Sequence, residues 1–223
     1  MIEMLKQFYW AMMGGQWDIA LAALGLGYII GSVPFGVIFT YLSGGGDIRK
    51  VGSGNIGATN VLRTGKRWAA AATLLCDAAK GFFAVWIMLR APHVWYTVPL
   101  AGLGAMLGHL FPFWLRFKGG KGVATFLGIL FALSWIVGIL VAASWAIAAR
   151  VWKISSLAAL ICALLAPLFA WLLLGTYLAV FTAVLTLIIF LTHHENIARL
   201  LARTEPRIGN SAQDEPDETL DAA

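Results

Sequence analysis

Three stretches of this sequence bring cations, small polar side chains and glycines together at a density that suits phosphate chemistry. The first runs Asp47-Ile-Arg-Lys-Val-Gly-Ser-Gly-Asn-Ile-Gly-Ala-Thr-Asn60-Val-Leu-Arg63. Gly52, Gly54 and Gly57 permit backbone conformations that turn successive N–H groups toward one point, an anion-binding nest. Ser53, Asn55, Thr59 and Asn60 add neutral donors, and Arg63 adds a planar cation suited to phosphate. The second is Gly108-His-Leu-Phe-Pro-Phe-Trp-Leu-Arg-Phe-Lys118-Gly-Gly-Lys121-Gly-Val-Ala-Thr125. Here a glycine-rich loop opens a helix whose first amides favour anions, and Lys118 and Lys121 bring charge. It is not a Walker A loop, because Leu115 stands five residues before Gly120 and Gly122 replaces the Ser or Thr that would follow the lysine. Nucleotide hydrolysis is therefore not indicated. The third is His193-His-Glu-Asn196-Ile-Ala-Arg199-Leu-Leu-Ala-Arg203. His193 and Asn196, three apart, share a helix face, and Glu195 and Arg199, four apart, could pair on another. Each stretch also has a plainer reading, as a turn-rich connector, a topology signal or an interfacial anchor respectively.

The elements that must position these residues are membrane helices. Of 223 residues, 60% are hydrophobic and only 12% charged, against about 25% charged in a soluble domain. Mean hydropathy is +0.81. A soluble fold, disorder and a nucleic-acid module are all excluded on that composition, and ten Trp with thirteen Phe suit a chain solvated by lipid. Cys76 and Cys162 sit in apolar segments and read as packing residues, with neither a disulfide nor a metal site. The first eighteen residues lack a basic leader into a short apolar core, so the first apolar run is expected to be a retained helix.

Apolar segments fall at about 19–42, 67–89, 94–117, 122–149, 155–174 and 177–192. Roughly 20 residues span a bilayer, so 122–149 is long for one crossing and short for two. Charge decides between them. Arg49, Lys50, Arg63, Lys66 and Arg67 lie in one connector, Arg116, Lys118 and Lys121 in another. Arg150 and Lys153 form a third group, and Arg199, Arg203 and Arg207 follow the last span. All four groups are cytoplasmic by the positive-inside rule only if 122–149 goes out and returns, turning near Ser134-Trp135 with Gly128 and Gly138 in close helix contacts. The expectation is an all-α integral membrane protein of seven transmembrane helices, N-terminus outside and C-terminus cytoplasmic. Residues 1–18 form a short outer segment and 19–209 a single membrane domain. Residues 210–223, with five acids and no base, form a disordered cytoplasmic tail.

Within the first span, Gly31-Ser32-Val33-Pro34-Phe35-Gly36 must weaken the helix, either as a kink or as a break whose backbone needs other polar partners. Asp77 and Lys80, three apart in the second span, are expected to pair. No internal repeat of the inverted-transporter kind is present.

The three polar stretches, in this order and on one membrane face, resemble the bacterial acyl-phosphate:glycerol-3-phosphate acyltransferases, the PlsY family. The matching text is Gly-Ser-Val-Pro-Phe-Gly, Gly-Ser-Gly-Asn-Ile-Gly-Ala-Thr-Asn with Arg63, Gly-His-Leu-Phe-Pro with Phe-Lys-Gly-Gly-Lys-Gly-Val-Ala-Thr, and His-His-Glu-Asn-Ile-Ala-Arg-Leu. It covers about residues 20–208. The resemblance implies acyl transfer from a lipid-soluble acyl phosphate to the 1-hydroxyl of sn-glycerol 3-phosphate, giving lysophosphatidic acid and phosphate in a bacterial inner membrane. It also implies a soluble acyl-ACP:phosphate acyltransferase as functional partner, with membrane lipid but no nucleic acid in contact. By motif it implies catalytic roles for Ser53, Arg63, His193 and Asn196. Substrate binding falls to Gly52, Gly54, Asn55, Lys118, Gly119, Gly120, Lys121, Gly122 and, on a shorter match, Ser156. Glu195 is structural by the same resemblance. One departure is Arg203-Thr-Glu205, where a glycine is expected before the Glu; by this reading it touches only the tail.

The residues agree with the resemblance, since both substrates carry phosphate and the donor is already activated. No cofactor, metal or covalent nucleophile is required. A transporter of a phosphorylated solute would share the hydropathy and anion loops, but it should place its polar groups near the midplane. An alcohol phosphotransferase would need clustered acids for Mg²⁺; outside the tail the acids are only Glu3, Asp18, Asp47, Asp77, Glu195 and Glu205, widely scattered.

Overall fold

The computed structural model describes residues 17–91 and 96–208, and all regular structure among them is helical. The helices are α1 (Trp17–Gly31), α2 (Phe35–Leu42), α3 (Ala58–Leu62), α4 (Arg67–Arg90), α5 (Thr97–Leu110), α6 (Val123–Leu133), α7 (Trp135–Trp152), α8 (Ser155–Leu174), α9 (Thr176–Thr192) and α10 (His194–Leu201). Short 3-10 turns occupy Ile48–Lys50 and Phe113–Leu115. Helix α1 packs along α5, α4 on α6, and α8 between α7 and α9. Buried Met106, Phe126, Ile129, Leu130, Val137, Val141, Leu185 and Ile189 knit α5, α6, α7 and α9 into one core. By length and composition, five segments can cross a membrane, or six if the bent pair α9–α10, at 63°, counts as one span. The outer segment 1–18 lies outside the described residues except at its last two, and so do the connector around Pro92 and the acidic tail.

Pro34 divides the first span into α1 and α2, and the break has polar partners. The Val33 carbonyl accepts from the Phe35 N–H at 3.1 Å and from Lys80 Nζ at 3.0 Å. Ser32 Oγ donates to the Ile29 carbonyl at 2.8 Å and accepts from Trp114 Nε1 at 3.0 Å. Lys80 is in turn paired with Asp77 at 2.7 Å, both buried, as their spacing on α4 requires. Irregular backbone at membrane depth is thus satisfied by a neighbouring helix, the condition under which it is tolerated.

The segment 122–149 turns as expected. Ser134 is extended, ends α6 and caps α7 by accepting from the Val137 N–H at 3.4 Å. Gly138 lies against the Phe131 ring and Gly128 against the Ala78 backbone of α4, so a Cβ at either would overlap its neighbour. Close approach of this kind is how small residues serve membrane helix pairs. Helix α6 has only 11 residues, about 16 Å of rise, or half the hydrocarbon thickness. Shorter than expected, too, is the 94–117 segment. Its helix stops at Leu110, because Pro112 removes a donor and the chain turns through left-handed Arg116 and Phe117.

Helix α10 ends in a Schellman turn: Thr204 N–H donates to the Arg199 carbonyl and Arg203 N–H to the Leu200 carbonyl. Arg203 holds φ at +61°, a conformation suited to glycine, which explains physically why glycine is the expected residue here. The turn sends Glu205 back beneath α10. Relief of the left-handed strain outweighs the added chain entropy, so Arg203→Gly should stabilise the protein by about 0.5 kcal/mol. Thermal unfolding in detergent measures this, and a lower Tm would show that the Arg203 side chain makes compensating contacts.

Candidate active site

The first polar stretch folds around Asn60. This side chain, buried on the short α3, donates to the carbonyls of Val51 at 2.9 Å and Asn55 at 2.8 Å, with Ile48 at 3.3 Å, and accepts from Ser53 N–H at 3.2 Å. The Gly54 N–H goes to the Val51 carbonyl and the Gly57 N–H to Asn55 Oδ1. Three of the amides expected to face an anion, those of Ser53, Gly54 and Gly57, therefore stay inside the loop. Gly52 and Gly54 serve geometry instead, at φ +51° and +69°. A Cβ on Gly52 would also strike Asn60 and the Arg63 side chain. What this loop offers a ligand is side chains, exposed Ser53 and half-buried Arg63. Asp47 caps the turn before it and pairs with Arg49 at 2.8 Å, and the hydrogen bonds from Arg49 pull the Asp47 carboxyl down to about 2.

The second stretch is pinned to the end of α5. Gly119 N–H donates to the Leu110 carbonyl at 2.9 Å and Gly120 N–H to the His109 carbonyl at 3.1 Å. Two of the amides expected to face an anion are thus turned inward. The loop still delivers Lys121, because Gly122 at φ +86° redirects the chain into α6. The first N–H groups of α6, from Val123 to Thr125, have no acceptor within the helix. Lys118 is exposed; Lys121 is half-buried. Lys121 Nζ donates to Asn196 Oδ1. Burial and then Arg199 lower the Lys121 pKa, against the opposing pull of Glu195 and Glu205.

The third stretch closes the site. Asn196 Nδ2, Ser156 Oγ (2.7 Å) and Arg199 Nε (2.7 Å) all donate to the carboxylate of Glu205. Burial alone would raise the Glu205 pKa, but these three hydrogen bonds and the Arg199 charge outweigh it and hold the carboxyl below its ordinary value. His193, at the junction of α9 and α10, is buried with Nδ1 2.8 Å from the Ile189 carbonyl. A carbonyl only accepts, so Nδ1 carries the proton. Burial pushes the His193 pKa down to about 4.

Lys121 is therefore bonded to Asn196, and Ser156 is joined to both through Glu205, with His193 close enough to feel the charges of Lys121 and Glu205. Thr59 Oγ1 lies 3.2 Å from Ser155 Oγ, which brings the Ser53–Arg63 loop alongside the start of α8. Thr192 Oγ1 reaches the Lys121 carbonyl at 3.2 Å. Every polar stretch thus meets at one end of the bundle. Two further expectations are corrected. Arg199 pairs with Glu205 rather than with Glu195, which is exposed. The Arg203–Glu205 segment does not belong only to the tail: Glu205 sits at the centre of the site's network. Spacing along a helix could not reveal it, because Glu205 lies beyond the α10 turn. The signal was the misplaced glycine position itself.

An all-helical membrane protein with a cationic, hydrogen-bonding site at one end of the bundle is the class defined so far. A family model described as glycerol-3-phosphate acyltransferase matches residues 21–203, and the chain belongs to that family. A "Glycerol-3-phosphate acyltransferase" of Mesorhizobium japonicum is 53% identical over 190 residues, 85% of this chain and 96% of the relative. One from Methylorubrum extorquens is 52% identical over 195 residues, covering 86% and 95%. The crystal structure of PlsY (YgiH), an integral membrane glycerol 3-phosphate acyltransferase, in its glycerol 3-phosphate form, matches with a TM-score of 0.80 at 35% identity. That match covers 85% of this chain and 96% of the other.

Proposed function

We propose that this protein transfers a fatty acyl group from an acyl phosphate to the 1-hydroxyl of sn-glycerol 3-phosphate, releasing lysophosphatidic acid and inorganic phosphate. The observation that carries this reading is the convergence of Lys121, Ser156 and Asn196 at the bundle end beside the Ser53–Arg63 loop. Two phosphate-bearing substrates call for two sets of cations and donors. Arg63 with Ser53 supplies one, and Lys118 with Lys121 the other, Gly119, Gly120 and Gly122 shaping the loop that carries them. Gly52, Gly54 and Asn55 shape the first loop. Crystal structures of PlsY in a glycerol 3-phosphate form and a lysophosphatidic acid form support the same acceptor and product here. The test is to give purified protein glycerol 3-phosphate with palmitoyl phosphate or with palmitoyl-CoA. Lysophosphatidic acid from the acyl phosphate alone is expected; product only from the CoA ester would overturn the donor.

In the reaction the acceptor hydroxyl oxygen attacks the acyl carbonyl carbon, the carbon–oxygen bond to phosphate breaks, and the hydroxyl proton must leave. The leaving phosphate takes it. His193 is a poor base, since at a pKa of about 4 it is neutral and weakly basic through the physiological range. Among the described residues no carboxylate bonds its ring; Nδ1 is held by the Ile189 carbonyl. His193 and Asn196 then position phosphate. His193→Ala should raise KM for a phosphate substrate by about tenfold while kcat keeps its pH profile from 5 to 8. Unchanged KM, a sharply lower kcat and a lost acidic limb would make His193 the base.

Seven transmembrane helices, N-terminus outside, C-terminus cytoplasmic, and one domain over 19–209 complete the proposal, in a bacterial inner membrane with a soluble acyl-ACP:phosphate acyltransferase as supplier. The return turn at Ser134 supports this arrangement, with α6 as a short seventh span. In a background lacking Cys76 and Cys162, Ser134→Cys should react with an impermeant thiol reagent in intact cells and Lys50→Cys should not. The opposite pattern would invert the topology.

A further inference from the structure

Just beneath the Lys118–Gly122 loop lie three ionisable side chains that nothing in the acyl-transfer reading uses. Asp77 and Lys80 pair at 2.7 Å with side chains only 3% and 2% exposed. His109, in the last turn of α5, places Nδ1 3.6 Å from the same Asp77 oxygen, an electrostatic contact too long for a direct hydrogen bond. Charges are expensive inside a membrane domain, and a packed apolar trio of the same volume would often cost less. The contacts at the ends of the trio indicate what it supports. Lys80 reaches the Val33 carbonyl in the break of the first span. On the other side the His109 ring faces Gly120. A Cβ built on Gly120 would overlap Nε2, Cε1 and Cδ2 of that ring, and one on Gly119 would overlap the His109 and Leu110 carbonyls.

We propose that His109 is a positioning residue, backed by Asp77 and Lys80, on which Gly119 and Gly120 rest so that Lys121 reaches phosphate in the right place. The ligand's identity, glycerol 3-phosphate, rests on the acyltransferase reading; the support of the loop rests on the contacts above. The imidazole acts through backbone it touches and never on substrate. Its loss should therefore weaken phosphate binding and leave the chemical step alone.

The experiment measures affinity for inorganic phosphate by calorimetry, and steady-state kinetics, on the purified full chain in detergent. His109→Ala should weaken phosphate binding and raise KM for glycerol 3-phosphate by about tenfold, with kcat and KM for the acyl donor within about threefold of the native values. His109→Gln, which restores bulk and a polar edge toward Asp77, should recover most of that loss, and Asp77→Asn should shift KM in the same direction. Gly120→Ala should also lose about tenfold, because its methyl strikes the ring. The double variant His109→Ala/Gly120→Ala should be no worse than either single one, a non-additivity of neighbours sharing one space. Additive losses, or native phosphate affinity in His109→Ala, would overturn the proposal. Should His109→Ala not be recovered folded, native phosphate binding by Gly120→Ala would overturn it instead. A native protein that binds phosphate in a His109-dependent way yet makes no lysophosphatidic acid would sink the acyltransferase reading and leave this one standing. An active enzyme indifferent to His109 would do the reverse.

Discussion

Lys121→Ala should lose about 30- to 1000-fold in kcat/KM for glycerol 3-phosphate, the ~2–4 kcal/mol of a charge-assisted contact in a partly desolvated site. Lys121 is set to have this effect because burial already disfavours its charge. A dianionic phosphate arriving beside it restores the favoured state of both groups. The ammonium is held by Asn196, which fixes where the charge stands. Arg63→Ala should fall in the same range, because its fork-shaped guanidinium is the cation of the Ser53 loop. Losses that fall on different substrates in the two variants would assign one loop to each phosphate. Normal kinetics in either variant, with the protein folded and inserted, would remove that residue from the site.

Glu205→Ala should lower kcat/KM by about 100-fold, near 3 kcal/mol, although this carboxylate need not touch substrate. Its two oxygens take hydrogen bonds from Ser156, Asn196 and Arg199, and so join α8 to α10 and to the chain beyond it. Removing it leaves three donors without their acceptor and frees Asn196, the partner of Lys121. The variant should also lose the acid sensitivity that Glu205 confers. Its folded pKa is depressed, so its stabilisation is full above the ordinary carboxyl value and fades as pH falls through the lower folded one. Unfolding measured from neutral to acid pH should therefore separate native protein from Glu205→Ala most at neutral pH and least in acid. A gap that widens in acid, or an active Glu205→Ala enzyme, would show that the network does not depend on this carboxylate.

Much of this molecule is legible in its sequence. Apolar segment lengths and Lys/Arg positions were enough to require a turn inside 122–149, and Ser134 makes it. The Asp77–Lys80 pairing follows from a three-residue spacing and the cost of isolated buried charge. Lys121, Ser156 and Asn196 were identified by motif and lie in one network. Local sequence, through glycine, proline and charge, determined where helices start, stop and bend.

The destination of each hydrogen bond was decided by tertiary structure alone. From the sequence, Gly52–Gly57 and Gly119–Gly120 looked like amide cradles for phosphate. In the fold, Ser53, Gly54 and Gly57 give their N–H groups to Asn60, Val51 and Asn55, while Gly119 and Gly120 give theirs to the end of α5. Backbone donors that can be satisfied nearby are satisfied, so these five amides are held within the fold. Arg199 chose Glu205 over Glu195 for a related reason. The left-handed turn at Arg203 returns Glu205 to a position where two neighbours also donate to it, whereas Glu195 is exposed and offers only a solvated pair. Spacing along a helix counts the possible partners, but only the folded chain sets which of them is shielded from water.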